Sequence, residues 1–86
     1  MPTFQRTETV DAREFTGGLE NGMAICLWVN SNNGIVMYDG KHDIILLSVW
    51  GEIFNVHKTD MVVLRQDGFF EHIRAEDFRL LGYKQV

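Results

Sequence analysis

The run Ile44-Ile45-Leu46-Leu47-Ser48-Val49-Trp50 limits the possible folds more than any other stretch, because six of its seven residues are apolar. Successive side chains of a strand point to opposite faces, so this segment carries apolar groups on both and must be central in a sheet or lie in an interface. Asp39-Gly40 stands between Gly34–Tyr38 and Lys41–Val49, and a two-residue Asp-Gly between β-rich runs is among the strongest short hairpin signals. The two faces of the second strand then need two covers. Either the sheet curls until it encloses both, or a second copy of the chain covers one. Six or seven short strands with frequent glycine turns allow strong curvature, so a closed sheet, and with it a monomer, is preferred over a homodimer.

The other elements follow from local pattern. Val10 and Ala12 alternate with polar neighbours across Thr7–Arg13, the period of a half-buried strand, and Phe15 breaks that phase so that the strand bulges or ends near Glu14. Thr16-Gly17-Gly18 supplies a turn. Asn21 can cap a helix running to Asn30, in which Met23 and Leu27, Ala24 and Trp28, and Ile25 and Val29 recur at i, i+4. So many adjacent apolar positions predict burial on more than one side, with Trp28 enclosed between helix and sheet. Asn30-Ser31-Asn32-Asn33-Gly34 ends the helix. A Gly51-Glu52 turn leads into Ile53–Val56. Met61–Leu64, an Asp67-Gly68 turn, Phe69–Ile73, a single helical turn over Ala75–Phe78 and a closing strand over Leu80–Tyr83 complete the chain.

Eighty-six residues hold one core, so residues 1–86 are read as a single domain. The expected fold class is α+β: a small curved, mostly antiparallel sheet, or a partly open SH3-like barrel, with one packed helix. The SH3 likeness is an analogy from the rhythm of Lys58–Tyr83 and fixes no function.

Charge and motif content exclude several activities. The net charge of -4 and pI near 5.2 oppose the electrostatic attraction behind non-specific nucleic-acid binding, and residues 1–60 hold eight acids against four bases. The longest apolar run, Met23–Val29, is far short of the roughly 20 residues that span a bilayer, and Met1–Glu8 lacks the flank and apolar stretch of a signal peptide. No membrane association is expected. A single cysteine, Cys26, rules out an intrachain disulfide framework and a multi-thiolate zinc site and fits a reducing compartment. In the apolar helix its thiol packs as an inert small hydrophobe. His42, His57 and His72 lack the spacing of a helical metal motif and read as turn or strand-surface residues. No phosphate-cradling glycine loop occurs. No catalytic, metal or cofactor-binding residue is therefore assigned, no cofactor is expected, and an enzyme built on His57 and Asp60 is the weakest alternative.

The aromatics carry more information. Trp28, Trp50, Phe54, Phe69, Phe70, Phe78 and Tyr83 crowd a chain too small to hide them all. Phe69 and Phe70 are adjacent, so on a regular strand they point to opposite faces and one is exposed unless the helix covers it. Trp50, Phe69 and Phe70 are the candidate protein-contact residues.

Val10-Asp11-Ala12 with Phe15-Thr16-Gly17, the segment from Asn21 through Ile25 to Trp28 and Val29, Gly51-Glu52, Thr59-Asp60-Met61-Val62-Val63, Gly68-Phe69-Phe70, Phe78 and Tyr83 follow one another in a shared order. In that order the chain, from about residue 8 to residue 84, resembles a widespread group of small proteins of tailed bacteriophages and prophages. It departs from the pattern at Thr59, where the group usually has glycine, and at Met61, where it has tryptophan. The group offers no catalytic residues to carry over. The resemblance implies a non-enzymatic phage accessory protein that binds a host or phage protein in the host cytoplasm, or alternatively a structural or assembly component of the virion.

Overall fold

Alternating and doubly apolar strands need partners, and the chain supplies them in two groups. A computed structural model describes residues 10–82. The element order is β1 (Asp11–Glu14), α1 (Leu19–Ser31), β2 (Ile35–Asp39), β3 (Ile44–Val49), β4 (Glu52–Val56), β5 (Met61–Leu64), β6 (Phe70–Ile73) and α2 (Ala75–Leu80). The strands form two three-stranded antiparallel sheets, β1-β5-β6 and β2-β3-β4. The fold class is α+β as expected, but the sheets stay separate and do not close into a barrel. The doubly apolar strand β3 is central, between β2 and β4, as its composition requires.

The core lies where α1 and the inner faces of both sheets meet. Phe15, Ile25, Val29, Ile45, Leu47, Val56, Val62 and Phe70 form its buried cluster, and Trp28, Val36, Tyr38, Val49 and Leu64 pack around it. Phe15 is fully buried just beyond β1, and its backbone extends the pairing: Phe15 N–H donates to Asp60 O at 2.9 Å and Thr59 N–H to Phe15 O at 2.7 Å. The break in phase at Phe15 thus marks the strand's end.

Helix α1 departs from the sequence reading in start and burial. It begins at Leu19, with Gly18 at the N-cap position, while Asn21 lies in its first turn and accepts a hydrogen bond from Thr16 N–H at 2.8 Å. A side-chain amide can close the preceding loop as readily as cap a helix, which is why the residue type misplaced the start. The helix buries a single stripe, Gly22, Ile25, Cys26 and Val29. Leu19, Met23 and Leu27 face solvent, because one small layer of sheet covers only one side. Close approach is secured by glycine: a Cβ on Gly22 would stand 2.5 Å from Tyr38 Cδ1. Trp28 is half-buried, not enclosed; its ring meets Phe70 edge-on at 5.4 Å, and the Arg13 guanidinium lies 4.6 Å from its centroid. The helix ends as predicted, with Asn33 at φ 65 and Gly34 N–H donating to Val29 O at 2.9 Å.

The β2–β3 loop spans four residues, since Asp39 pairs with Ile44. Lys41, His42 and Asp43, read as strand, belong to this loop. The Asp39 carboxylate accepts the Lys41 amide at 3.0 Å and sits 2.8 Å from His42 Nδ1, while Asp43, at φ 51, accepts from Tyr38 Oη at 2.7 Å and Gly18 N–H at 2.8 Å. Two local carboxylate bonds thus outcompete the tighter Asp-Gly turn. At the other end, α2 continues to Leu80, and Leu81-Gly82 form a turn, so no strand begins at Leu80; Tyr83 lies outside the described residues. Glu76 and Asp77 in its first turn and Arg79 in its last suit the helix dipole.

Candidate protein-contact site

Hairpin β3–β4 turns one residue earlier than Gly51-Glu52 suggests. Val49 pairs with Glu52, leaving Trp50-Gly51 as a two-residue loop, and both residues have positive φ, 55 and 79. That is the requirement of a type I′ turn, whose first position favours asparagine, aspartate or glycine. A side chain with a Cβ spends roughly 1 to 2 kcal/mol in the left-handed region, and Trp50 is also 79% exposed. Neither backbone nor core thus accounts for an indole here.

The indole has one described aromatic neighbour. Turn β5–β6 is closed by Arg65 N–H donating to Phe69 O at 2.9 Å and by the Asp67 carboxylate accepting the Phe69 amide at 3.0 Å, with Gly68 at φ 88. This places Phe69 against Trp50, with ring centroids 4.8 Å apart and planes at 33°. Phe69 is 46% exposed, whereas Phe70, the first residue of β6, is 7% exposed and belongs to the core. The adjacency argument holds, one phenylalanine in and one out, but Phe70 is corrected from contact residue to core residue: its ring is held by Trp28 and reaches the C-terminal end of α1. Trp50 and Phe69, from hairpins of different sheets, rim a shallow cleft of about 170 Å³ whose walls include Gly34, Ile35, Ser48 and Val49.

The titratable residues gather elsewhere. Asp60 is buried beside β5, and its Oδ2 accepts the His57 amide at 3.0 Å and lies 2.9 Å from His72 Nε2 on β6. With a carboxylate as acceptor, that imidazole nitrogen carries the hydrogen. Burial pushes the Asp60 carboxyl upward, but the hydrogen bonds from His72 and from the His57 and Ala75 amides together hold it below its ordinary value. The His57 ring is exposed and contributes only its backbone, so Asp60 finds its imidazole in His72. This cross-strand pair had no signal in the sequence, because the two residues stand twelve apart and meet only through the β5–β6 register. Asp60 ties the β4–β5 loop to β6 and the start of α2. His42 pairs locally with Asp39 at the surface. Burial pushes the Cys26 thiol upward, keeping it protonated and unreactive. Among the described residues no three His, Cys, Asp or Glu side chains gather as a metal-holding group, and no helix is long and apolar enough to cross a membrane.

Fold and surface define a small α+β domain of two three-stranded antiparallel sheets with an aromatic pair at one end. In comparisons with protein-family models, curated proteins and solved structures, the chain matches none.

Proposed function

We propose that this chain is a small non-enzymatic accessory protein of a tailed bacteriophage that acts in the host cytoplasm by binding a host or phage protein through its Trp50–Phe69 end. The observation that carries the binding site is the indole of Trp50, held in a left-handed backbone conformation at a hairpin tip and left open to solvent. Large, rigid aromatics at low entropy cost are what protein interfaces use as anchors. The phage origin rests on the motif resemblance. The motif glycines Gly17, Gly51 and Gly68 all have positive φ, and Phe15 is core, so the shared motifs are fold determinants. They support a common architecture and carry no mechanism.

The test is affinity purification from infected cells with the wild-type chain and with Trp50→Asn, followed by titration of the purified partner. Asparagine suits the turn, so the variant keeps the hairpin while removing the anchor. A hot-spot loss of about 2 kcal/mol or more corresponds to roughly 30-fold weaker binding. A folded Trp50→Asn protein that binds every recovered partner with wild-type affinity would sink the assignment of the site. Recovery of no partner at any salt would sink the reading itself. The second reading, a structural or assembly component of the virion, is favoured by the open apolar face of sheet β2-β3-β4. Mass spectrometry of purified virions decides it, since absence of the chain removes that role.

A further inference from the structure

We propose that the cleft rimmed by Trp50 and Phe69 takes an arginine side chain of the partner protein, its guanidinium lying on the Trp50 indole. This rests on the reading of that end as the partner site and adds the chemistry of what enters it. Three sources of negative potential converge there. The first is the indole: Trp50 is 79% exposed, so its ring presents a negative π-face to solvent. The second is the carbonyl end of α1. Asn33 and Gly34, which close the helix, form one wall of the cleft, and the last turn of α1 holds no basic residue to offset the negative end of its dipole. The third is carboxylate charge on the two hairpins that carry the rings. Glu52 pairs with Val49 directly beside the Trp50-Gly51 turn and is exposed, and the Asp67 carboxylate accepts the Phe69 amide at 3.0 Å. Arg65, the cation of the β5–β6 turn, has its guanidinium on Glu71 at 3.0 Å and 3.9 Å from Asp67, so with Glu52 three carboxylates stand against one guanidinium.

The cleft selects arginine among cations. Its volume of about 170 Å³ is the share of roughly five or six waters, which one long side chain fills. Ile35 and Val49 supply apolar wall for the methylene stem, while Trp50 and Phe69 supply planar surface on which a guanidinium stacks. Asn33 and Ser48 place neutral side-chain oxygens in the same walls, acceptors for a group that only donates. None of the described residues that line the cleft is lysine, arginine or histidine, so an entering cation meets no like charge in its walls. The fold already makes this pairing once, with the Arg13 guanidinium 4.6 Å from the Trp28 ring centroid. The net charge of -4 speeds the approach of a basic partner and opposes a phosphate or carboxylate at the same place.

Titration of the isotopically labelled full chain with Nα-acetyl-arginine amide, at ionic strength held constant with sodium chloride, reads the site through the Trp50 indole N–H resonance. The resonance is identified by its absence from Trp50→Asn. A saturable shift in the millimolar range is expected. The citrulline analogue, which keeps the shape and loses the charge, should bind about 10-fold more weakly or worse. The lysine analogue should also be weaker than arginine, because an ammonium cannot stack. Glu52→Gln and Asp67→Asn keep size and, at Asp67, the oxygen that accepts the Phe69 amide, so both variants fold; each should weaken arginine binding about 2- to 5-fold. Absence of a saturable shift with arginine overturns the proposal. So does citrulline or lysine binding as tightly as arginine, or a Glu52→Gln, Asp67→Asn double variant that binds arginine unchanged. The partner site itself fails by a different result, capture of every partner by Trp50→Asn at wild-type affinity. Lost capture alongside equal arginine and citrulline affinities keeps the site and discards arginine.

Discussion

Replacing Trp50 with asparagine should make the domain more stable, although it deletes the ring contact between Trp50 and Phe69. Two contributions oppose each other. An ordinary side chain at positive φ costs roughly 1 to 2 kcal/mol, and asparagine, whose short polar side chain bonds locally, relieves much of it. Against this stands the Trp50–Phe69 contact at 4.8 Å. Aromatic pairs contribute about 0.5 to 1.5 kcal/mol beyond area burial, and with Trp50 79% exposed the contribution belongs at the low end. The balance is a gain of about 0.5 to 1 kcal/mol, which raises the melting temperature of a domain this size by roughly 2 to 8 °C. Trp50→Ala is the control: it loses the same ring contact and keeps most of the backbone strain, so it should melt at or slightly below the wild type. Thermal denaturation followed by circular dichroism, at a concentration and salt common to all three proteins, gives the order Asn above wild type, wild type at or above Ala. An asparagine variant melting below the alanine variant would refute the reasoning, since it would mean that Trp50 supports the fold through contacts its exposure does not admit.

Three further outcomes follow from the same geometry. Thr59→Gly should stabilise by about 0.5 to 1 kcal/mol, because Thr59 is β-branched at φ 80 while its amide bond to Phe15 is independent of the side chain; an unchanged or lower urea midpoint would contradict the strain argument. The Asp60 carboxyl is held below its unfolded value, so its contribution is fully present above the unfolded pKa of about 4 and lost as pH falls through the lower folded value. Melting temperature should accordingly fall with pH in that acid range, and less steeply in Asp60→Asn; parallel curves for both proteins would place the acid sensitivity elsewhere. Trp28→Ala should cost about 2 to 3 kcal/mol, below the 3 to 5 typical of an enclosed aromatic, because the indole is half-buried; a loss beyond that range in chemical denaturation would show that α1 depends on the ring more than its exposure implies.

Most elements were legible because their signals are local. The β3 run is apolar on both faces and becomes a central strand, Asp67-Gly68 makes its turn, and Asn33-Gly34 ends α1. The errors lie where two local chemistries compete for one residue. Asn21 offered a cap and serves the preceding loop; Asp39 offered a tight turn and instead holds the amides of a longer one. The burial of α1 was overestimated because apolar content reports what could be covered, whereas the area of the facing sheet decides what is. The site was half legible. Adjacency required one of Phe69 and Phe70 to face outward, but only the tertiary packing of Phe70 on Trp28 decides which. The Asp60–His72 pair depends on strand register alone and left no trace in residue spacing.

Local rules are broken unequally across this chain, and the pattern separates constraint from use. Four non-glycine residues among those described have positive φ. Asn33 and Asp43 are of the types that tolerate the left-handed region, and both have local work there: one terminates α1, the other clamps Gly18 and Tyr38 to the β2–β3 loop. Trp50 and Thr59 are neither tolerant nor required by their turns. Thr59 is exposed, and nothing in the structure explains threonine in place of glycine. Trp50 differs because its strained backbone fixes the direction of a large, rigid side chain and sets it against Phe69 from the other sheet. A residue that costs stability at its own position and joins two hairpins of different sheets at one exposed end is better accounted for by what it touches outside the molecule than by the fold. Under this account, variants that relieve Trp50 lose binding as they gain stability, whereas relief at Thr59 leaves binding unchanged. Measuring both quantities on both variants therefore distinguishes a used strain from an incidental one.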